Sequence, residues 1–285
     1  MPVYRSLVES SATRVEEPAP PPARLASTRK QRPSFELLCE LVFRPLAHLV
    51  VLALLPLRVA PPAVVAASAA TGIGAAVELG RGQLVAAAVL LQVKTVLDNA
   101  DGQLARASGR VTVFGRYLDS ESDLLVDAAL FSALGYATGQ PLLAGIAFVV
   151  LALVLSADFD LELFYRRERG EPREARPAAT GAAAALARVY DIVYAPQDRL
   201  IERFVAWRLR GRGAEERLAY HDRATLMVLA NFGLSTQLAV LGLCLVLGQP
   251  TAYLWVVLAC GASLVPLELR RARRARDAYH PVNGK

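Results

Sequence analysis

The sequence predicts an all-α polytopic membrane protein with about six transmembrane helices and an N-terminal amphipathic helix at the membrane surface. Two observations carry this prediction. First, 54% of the 285 residues are hydrophobic, which is more than soluble globular domains usually contain. Second, the charged residues are concentrated in a few segments that alternate with long apolar runs. That alternation is typical of membrane helices joined by polar loops.

The N-terminal region divides into a tail and an amphipathic segment. Residues 1–34 are rich in Pro, Ser and Ala and lack the apolar core of a signal peptide, so we expect a disordered tail. Residues 35–57 are largely apolar but contain Glu36, Glu40, Arg44 and His48. This segment is either a further membrane span or, as we prefer, an amphipathic helix lying at the interface, with Arg44 and His48 on its solvent side.

Six apolar segments follow, each close to the length of about 20 residues that a helix needs to cross the hydrocarbon core. They lie near residues 62–79, 83–101, 112–138, 142–165, 224–247 and 251–269. Short, turn-like connections separate the first from the second, the third from the fourth, and the fifth from the sixth. The sequence therefore predicts three antiparallel helical hairpins.

The distribution of arginine and lysine predicts the orientation. With the N-terminus inside, segments 1–61, 102–111, 166–223 and 270–285 hold almost every basic residue, and the opposite side holds only Arg81. The positive-inside rule then places both termini in the cytoplasm, with the protein in the cell inner membrane. The net charge of +6 is explained by contact with anionic membrane lipids, so we expect no nucleic-acid partner.

The longest connection, residues 166–223, forms a cytoplasmic insertion within a membrane domain that spans residues 35–270. A basic tail, residues 271–285, follows the domain. Within the insertion, apolar residues recur at helical spacing: Leu186, Val189, Val193, Leu200, Phe204 and Trp207. Two interpretations remain open, namely amphipathic helices on the inner membrane surface and a small soluble helical cap.

Four aspartates mark the candidate site. Asp98 and Asp101 are three residues apart at the end of the second span, so they share a helix face. Asp119 and Asp123 are four apart at the start of the third span and share a face as well. Because a short loop joins the two spans, the sequence predicts that the four carboxylates converge at the inner edge of the membrane.

Such a cluster indicates a divalent metal. Carboxylates in or near a membrane are costly and usually functional, and four together cannot stay ionised without positive charge among them. Arg106 supplies one such charge, so we infer one or two ions. Oxygen ligands favour Mg²⁺ or Mn²⁺, and two ions about 4 Å apart suit chemistry on a diphosphate. The three cysteines and three histidines are scattered, which argues against a zinc site or a catalytic triad.

The complete motif, D-x-x-D-G-x-x-A-R-x₈-G-x-x-x-D-x-x-x-D from Asp98 to Asp123, resembles the signature of the CDP-alcohol phosphotransferase family. In fold the resemblance extends over about residues 36–270. It implies six membrane helices, an interfacial helix and usually a homodimer. It also implies metal-dependent transfer of a phosphatidyl group from a CDP-linked donor, most readily CDP-diacylglycerol, to an alcohol, with release of CMP, in phospholipid biosynthesis.

The resemblance also implies roles for individual residues. Metal would be ligated by the four carboxylates, Asp98, Asp101, Asp119 and Asp123. Asp123 would in addition be the general base on the acceptor hydroxyl. Substrate would be contacted through Gly102, Ala105, Arg106 and Gly115. Gly102 and Ala105 would leave room for the cytidine nucleotide, Arg106 would neutralise diphosphate charge or tie the helices together, and Gly115 would relieve crowding between the helices.

The sequence departs from the family pattern just before the first span. Members often have Asn and, three residues later, Thr, where this chain has Pro62 and Val65. Ser68 and Thr71 lie nearby and are candidates to substitute for the missing polar groups. Arg110 and Arg116 are either ligands for a phosphate on the acceptor or, as we prefer, ordinary basic residues of a cytoplasmic loop.

Two other functions compete with this interpretation. An intramembrane prenyltransferase also uses two aspartate-rich motifs and Mg²⁺, but those motifs lie far apart on a larger bundle. A membrane scaffold protein that retains the site without catalysis is the other. The four aspartates argue against the scaffold, whereas Pro62 and Val65 leave it open.

Overall fold

The structure is a computed structural model that describes residues 32–171 and 180–279. Most of the predicted N-terminal tail (1–31), part of the charged start of the insertion (172–179) and the end of the basic tail (280–285) lie outside the described residues. Within the described ranges the chain is helical and contains no β-strand. The all-α prediction is therefore confirmed.

The chain begins with a short π-helical turn, Cys39–Phe43, that leads directly into α1 (Arg44–Leu54). The long helices that follow are α2 (Pro61–Gly80), α3 (Leu84–Ala107), α4 (Val113–Thr138) and α5 (Pro141–Glu168). The remaining helices are α6 (Ala182–Val193), α7 (Ala195–Arg208), α8 (Ala214–Tyr220), α9 (Arg223–Ala230), α10 (Leu234–Val246) and α11 (Pro250–Tyr279). Proline stands at the first position of α2, α5 and α11, where its fixed φ favours helix initiation and no backbone donor is lost.

The long helices pack around one apolar core. Helix α2 lies against α3 and α4, while α10 packs on α3, and α11 packs on α5. The core consists largely of leucines with at most 2% exposure, together with the aromatic residues Phe131 and Tyr253. These leucines are Leu79, Leu91, Leu130, Leu134, Leu151, Leu241 and Leu245. Small residues let the helices approach closely. A Cβ at Gly72 of α2 would lie 2.5 Å from the Cγ1 of Val126 on α4.

Four helical stretches in the described part of the chain are long and apolar enough to cross a membrane. They are Pro61–Gly80, Pro141–Glu168, Ala214–Val246 and Pro250–Ala278. Helices α3 and α4 have 24 and 26 residues, so length does not set them apart from these four. They carry the charged residues of the motif, which lower their mean hydropathy. The structure therefore shows an integral membrane protein with four such helices and does not establish the predicted number of six.

The predicted span near residues 224–247 is interrupted. Helix α9 ends at Ala230, and α10 begins at Leu234. The intervening turn contains Asn231, whose side-chain amide donates to the carbonyl of Phe35 at 2.9 Å and whose oxygen accepts from the backbone N–H of Leu37 at 2.9 Å. The break therefore provides polar groups that bind the N-terminal segment.

The N-terminal segment is buried on one side and apolar on the other. Cys39, Phe43, Ala47 and Val51 face inward, and α1 packs on α3. The exposed positions are the leucines Leu41, Leu46, Leu49 and Leu52. Arg44 and His48, predicted on the solvent side, are only partly exposed, and Arg44 forms an ion pair with Glu40. The face that is free for lipid is therefore more apolar than the sequence pattern indicated.

Arg32 connects the same segment to α5. Its guanidinium lies 3.3 Å from Asp158 Oδ2 and 2.9 Å from Glu162 Oε2. Both acids, together with Asp160, are less than 9% exposed. These acidic residues thus lie inside the protein, where the ion pairs of Arg32 with Asp158 and Glu162 compensate for lost hydration.

Helices α6 and α7 form most of the described part of the insertion. Helix α6 packs on α4, and α7 packs on α5. Five large apolar side chains point outward: Val189, Ile192, Leu200, Phe204 and Trp207 are 39–74% exposed. Charged residues are exposed on the same helices, among them Arg188, Asp191, Arg199, Glu202 and Arg203. Since the five apolar residues follow one another at intervals of three, four or eight, they lie along one side of the α6–α7 pair.

Candidate active site

The carboxylate cluster is built where α3 ends and α4 begins. Five residues connect the two helices, and Gly109 in this turn has a left-handed φ of +65°. Thr112 then caps α4, because its hydroxyl accepts the N–H of Gly115 at 3.0 Å. This compact turn brings the end of α3 close to the start of α4, so the carboxylates near the end of α3 face those of the first turns of α4.

Three of the four predicted carboxylates meet. One oxygen from each of Asp98, Asp119 and Asp123 lies within 4.8 Å of the others. Asp101, one turn beyond Asp98, is 5% exposed, and its Oδ2 atom is buried without a hydrogen-bond partner. An acceptor that is buried and unsatisfied in this position is suited to a cation. The donor set, which consists of oxygen alone, therefore fits a hard divalent metal.

Lys94 lies within this cluster. Its ammonium donates to Asp98 Oδ1 at 2.9 Å and to Asp123 Oδ1 at 2.5 Å, and the side chain is 1% exposed. In the sequence analysis, Arg106 counted as the cation near the site. The i,i+4 spacing of Lys94 and Asp98 was the signal that identifies this pair. The cluster thus contains a protein cation that the charge count had left out.

Asp127 lies one turn beyond Asp123 on α4. It is 9% exposed and therefore buried. It does not belong to the group of three converging carboxylates, Asp98, Asp119 and Asp123. The structure thus distinguishes an inner carboxylate from those that face the candidate metal position.

A groove opens beside the cluster. Asp101 and Asp119 line it together with small residues of the motif, Gly102, Ala105 and Gly115. The other lining residues are Pro61, Pro62, Val65, Arg110, Val111, Thr112 and Arg116. The groove thus brings two acids, three small residues and two arginines together next to the carboxylate cluster.

Two of the predicted substrate residues have structural partners as well. The guanidinium of Arg106 folds back over Gly102, where a Cβ would lie 3.3 Å from Nη1. At Gly115 a Cβ would lie 3.1 Å from the Oγ1 of Thr112. Gly115 therefore also leaves room for the hydroxyl that caps α4.

The residues that replace the family's polar groups, Pro62 and Val65, form part of the groove wall. Ser68 and Thr71, the candidate substitutes, use their hydroxyls elsewhere. Ser68 donates to the Lys94 carbonyl at 3.3 Å, and Thr71 donates to the Ala67 carbonyl at 2.7 Å. This part of the groove wall is therefore apolar, whereas the family pattern has polar residues there.

Aromatic residues connect helices α6 and α7 of the insertion to α4. Tyr117 of α4 meets Tyr190 edge-on, with ring centroids 6.1 Å apart, and Tyr190 stacks on Tyr194 at 5.3 Å. The Tyr194 hydroxyl donates to the Ser120 carbonyl at 3.4 Å. Burial and the nearby carboxylates of α4 raise the pKa of Tyr194. The sequence did not predict that Tyr190 and Tyr194 pack on α4, because the spacing of tyrosines in a helical insertion does not indicate which helix they contact.

Comparisons with known proteins agree with this geometry. The CDP-alcohol phosphatidyltransferase family matches residues 48–196, just over half of the chain. A bifunctional IPC transferase and DIPP synthase of Aquifex aeolicus is 52% identical over 46 residues, which are 16% of this chain and 11% of that protein. A phosphatidylinositol phosphate synthase of Corynebacterium glutamicum is 35% identical over 96 residues, or 33% of this chain and 42% of the relative.

An archaetidylinositol phosphate synthase of Pyrococcus horikoshii is 50% identical over 44 residues, which are 15% of this chain and 23% of the relative. In each of these three relatives the matched region covers less than half of the relative's length. No solved structure matches the chain significantly.

Proposed function

Because this chain belongs to the CDP-alcohol phosphatidyltransferase family, we propose that it transfers a phosphatidyl group from a CDP-linked lipid, CDP-diacylglycerol, to an alcohol. The observation that carries the proposal is the meeting of Asp98, Asp119 and Asp123 within 4.8 Å, beside a groove lined by Gly102 and Ala105. In this proposal, the diphosphate of the nucleotide donor lies next to the carboxylates.

The reaction joins the acceptor hydroxyl to the phosphorus that carries the lipid. A new P–O bond forms, the bond between that phosphorus and the oxygen of CMP breaks, and CMP leaves with the electron pair. Asp123 takes the hydroxyl proton as general base. Since Asp123 lies one turn further along α4 than Asp119, it is suited to an acceptor that enters beyond the nucleotide.

The other residues bind and orient the substrates. Gly102 and Ala105 allow the cytidine nucleotide to approach α3, because larger side chains would fill the groove. Arg110 and Arg116, in the same groove wall, provide charge for phosphate oxygens. Arg106, which folds over Gly102, holds the end of α3 in a fixed geometry. Gly115 allows α4 to begin at its capping threonine.

The metal ions would be held by Asp98, Asp101, Asp119 and Asp123. We propose Mg²⁺ or Mn²⁺, with two ions. A bound divalent ion neutralises the charge that develops on the diphosphate, so CMP can leave without an acid. The buried, unpartnered Oδ2 of Asp101 supports this ligand set.

The topology proposal extends what the structure establishes. We propose six membrane crossings, in which α3 and α4 cross despite the charged motif because their polar side chains face the interior of the bundle. The site then opens to the cytoplasm, and both termini are cytoplasmic in the inner membrane. We retain the division into a tail (1–34), a membrane domain (35–270) and a basic tail (271–285), and we propose a homodimer.

For the insertion, the exposed side of α6 and α7 favours the membrane surface over a soluble cap. Ile192 and Trp207 are 74% and 64% exposed, and Arg199 and Arg203 lie beside them on α7. A surface that combines large apolar residues with arginines is complementary to the headgroup region of anionic lipids.

The experiment that tests the function uses purified protein in nanodiscs with labelled CDP-diacylglycerol and a panel of alcohols. The panel begins with inositol phosphate, because two relatives are named as phosphatidylinositol phosphate synthase and archaetidylinositol phosphate synthase. We expect metal-dependent release of CMP with formation of one labelled lipid. Absence of CMP release and of CMP exchange with every donor would favour the scaffold, for which Pro62 and Val65 in the groove wall are the supporting observation.

A further inference from the structure

The position of Lys94 brings a protein cation into contact with two proposed metal ligands. Its ammonium donates to Asp98 Oδ1 at 2.9 Å and to Asp123 Oδ1 at 2.5 Å. The lysine side chain is 1% exposed, whereas those of Asp98 and Asp123 are 21% and 23% exposed, so the carboxylates rather than water compensate for the ammonium charge. The ammonium therefore occupies the side of the cluster on which Asp98 of α3 faces Asp123 of α4.

This arrangement has a clear electrostatic reason. Asp98, Asp119 and Asp123 bring three carboxylates within 4.8 Å of one another, and like charges at such distances repel strongly in a medium of low dielectric. An ammonium between two of them offsets part of the repulsion and is itself stabilised by both bonds. Removing it would leave the carboxylates uncompensated unless another cation took its place.

We propose that Lys94 competes with the divalent metal: its ammonium holds Asp98 and Asp123 together in the metal-free protein and leaves Asp123 when metal binds. The inference rests on the proposed metal site and adds a residue that controls its affinity. Lys94 is a positioning residue, because it acts on the carboxylates and contacts no reacting atom.

In this proposal, Asp127 is the carboxylate that receives the displaced ammonium. Asp127 is buried at 9% exposure one turn beyond Asp123, a separation of about 5 Å along the helix. The lysine chain has four flexible methylenes, and its stem passes over Gly72, where a Cβ would lie 3.3 Å from Lys94 Cγ. The ammonium is therefore able to move from Asp123 to Asp127 while both helices stay in position.

The metal-free and the metal-bound protein differ in the cations that compensate for the charge of the carboxylates. Without metal, Lys94 bridges the two helices. With metal, the ion takes Asp98 and Asp123, and Lys94 pairs with Asp127 instead. Metal affinity is then the difference between two sets of ion pairs, so changes at Lys94 and Asp127 should affect it in opposite directions.

The test measures Mn²⁺ binding directly, on the full chain in detergent and without substrate, from the electron paramagnetic resonance signal of free Mn²⁺. Lys94→Met keeps an unbranched side chain of similar length and removes the charge. We expect it to bind Mn²⁺ about 10- to 100-fold more tightly, the effect of removing a competing hydrogen bond between charged groups. Asp127→Asn, which removes the receiving carboxylate, should weaken binding about tenfold.

The double variant separates competition from a general effect on folding. In the Lys94→Met background, Asp127→Asn should leave Mn²⁺ affinity unchanged, because no ammonium remains to be received. Unchanged or weaker binding by Lys94→Met would overturn the competition and show that Lys94 orients the ligands. If Lys94→Met does not fold, an unaltered affinity in Asp127→Asn overturns it as well. Absence of Mn²⁺ binding by the unsubstituted protein would instead refute the metal site itself, and with it the inference.

Discussion

Replacing Asp123 by asparagine tests the proposed chemistry most directly. Asp123→Asn keeps the shape of the side chain and an oxygen that still accepts the ammonium of Lys94, which lies 2.5 Å from Oδ1. It removes a negative charge and the group that accepts the proton. Since Asp98 remains as a second, charged partner of Lys94 at 2.9 Å, we expect the free energy of unfolding to fall by only about 1–2 kcal/mol.

The effect on turnover should be much larger. Loss of a general base lowers a rate by about 10²- to 10⁴-fold. Asp123 also belongs to the group of three carboxylates that would hold metal, so its replacement removes a ligand charge as well. We therefore expect at least about a 10²-fold loss of turnover at saturating metal, while the CDP-linked donor still binds within a modest factor.

The assay follows CMP release from CDP-diacylglycerol in nanodiscs, with donor binding and thermal unfolding measured on the same samples. Asp127→Asn is the matched control, because it makes the same chemical change one turn further along α4. At saturating metal it should lose much less activity. Near-normal turnover by Asp123→Asn together with loss in Asp127→Asn would refute the assigned register and require another base on that helix.

Further outcomes are expected from the same structure. Removal of divalent metal with EDTA should abolish transfer, and Mg²⁺ or Mn²⁺ should restore it; activity that survives exhaustive dialysis would contradict the metal site. Cysteines introduced in segment 270–285 should react with a membrane-impermeant reagent only from the cytoplasmic side, and labelling from outside would overturn the topology. In Trp255→Phe, the remaining Trp207 should be quenched by lipids brominated near the headgroup and protected from aqueous iodide, whereas the opposite result would indicate a soluble cap. Gly72→Ala should destabilise the protein by about 1–3 kcal/mol through overpacking, while Gly74→Ala, whose Cβ would meet its nearest neighbour at 3.7 Å, should unfold at an unchanged temperature; equal behaviour would refute the close helix approach.

The sequence was most informative where spacing alone determines geometry. Intervals of three and four residues place Asp98 with Asp101 and Asp119 with Asp123 on shared helix faces, and a five-residue connection leaves α3 and α4 few ways to pack. The all-helical architecture followed from composition for a similar reason, because a chain in lipid must satisfy its backbone hydrogen bonds internally.

Features that depend on tertiary contacts were harder to predict. The charge of Lys94 is an example, since its compensation comes partly from Asp123 on another helix. The break at Asn231 lies between apolar helical stretches, and the hydrogen bond that its side chain forms with Phe35 joins residues far apart in sequence. Hydropathy records the average character of a segment and is insensitive to such individual pairings.

The contacts of the N-terminal segment have a consequence for biosynthesis. Phe35 and Leu37 are bonded to Asn231 across 196 and 194 positions of sequence, and Glu36 accepts the hydroxyl of Thr236 across 200. As the ribosome makes the N-terminus first, this segment emerges long before its partners exist. Helix α1 packs on α3, and Arg32 pairs with acids of α5, so these contacts can form before α9 and α10 exist. The bonds of residues 35–37 can form only afterwards, and a chain truncated before α9 would keep α1 on α3 but lack them.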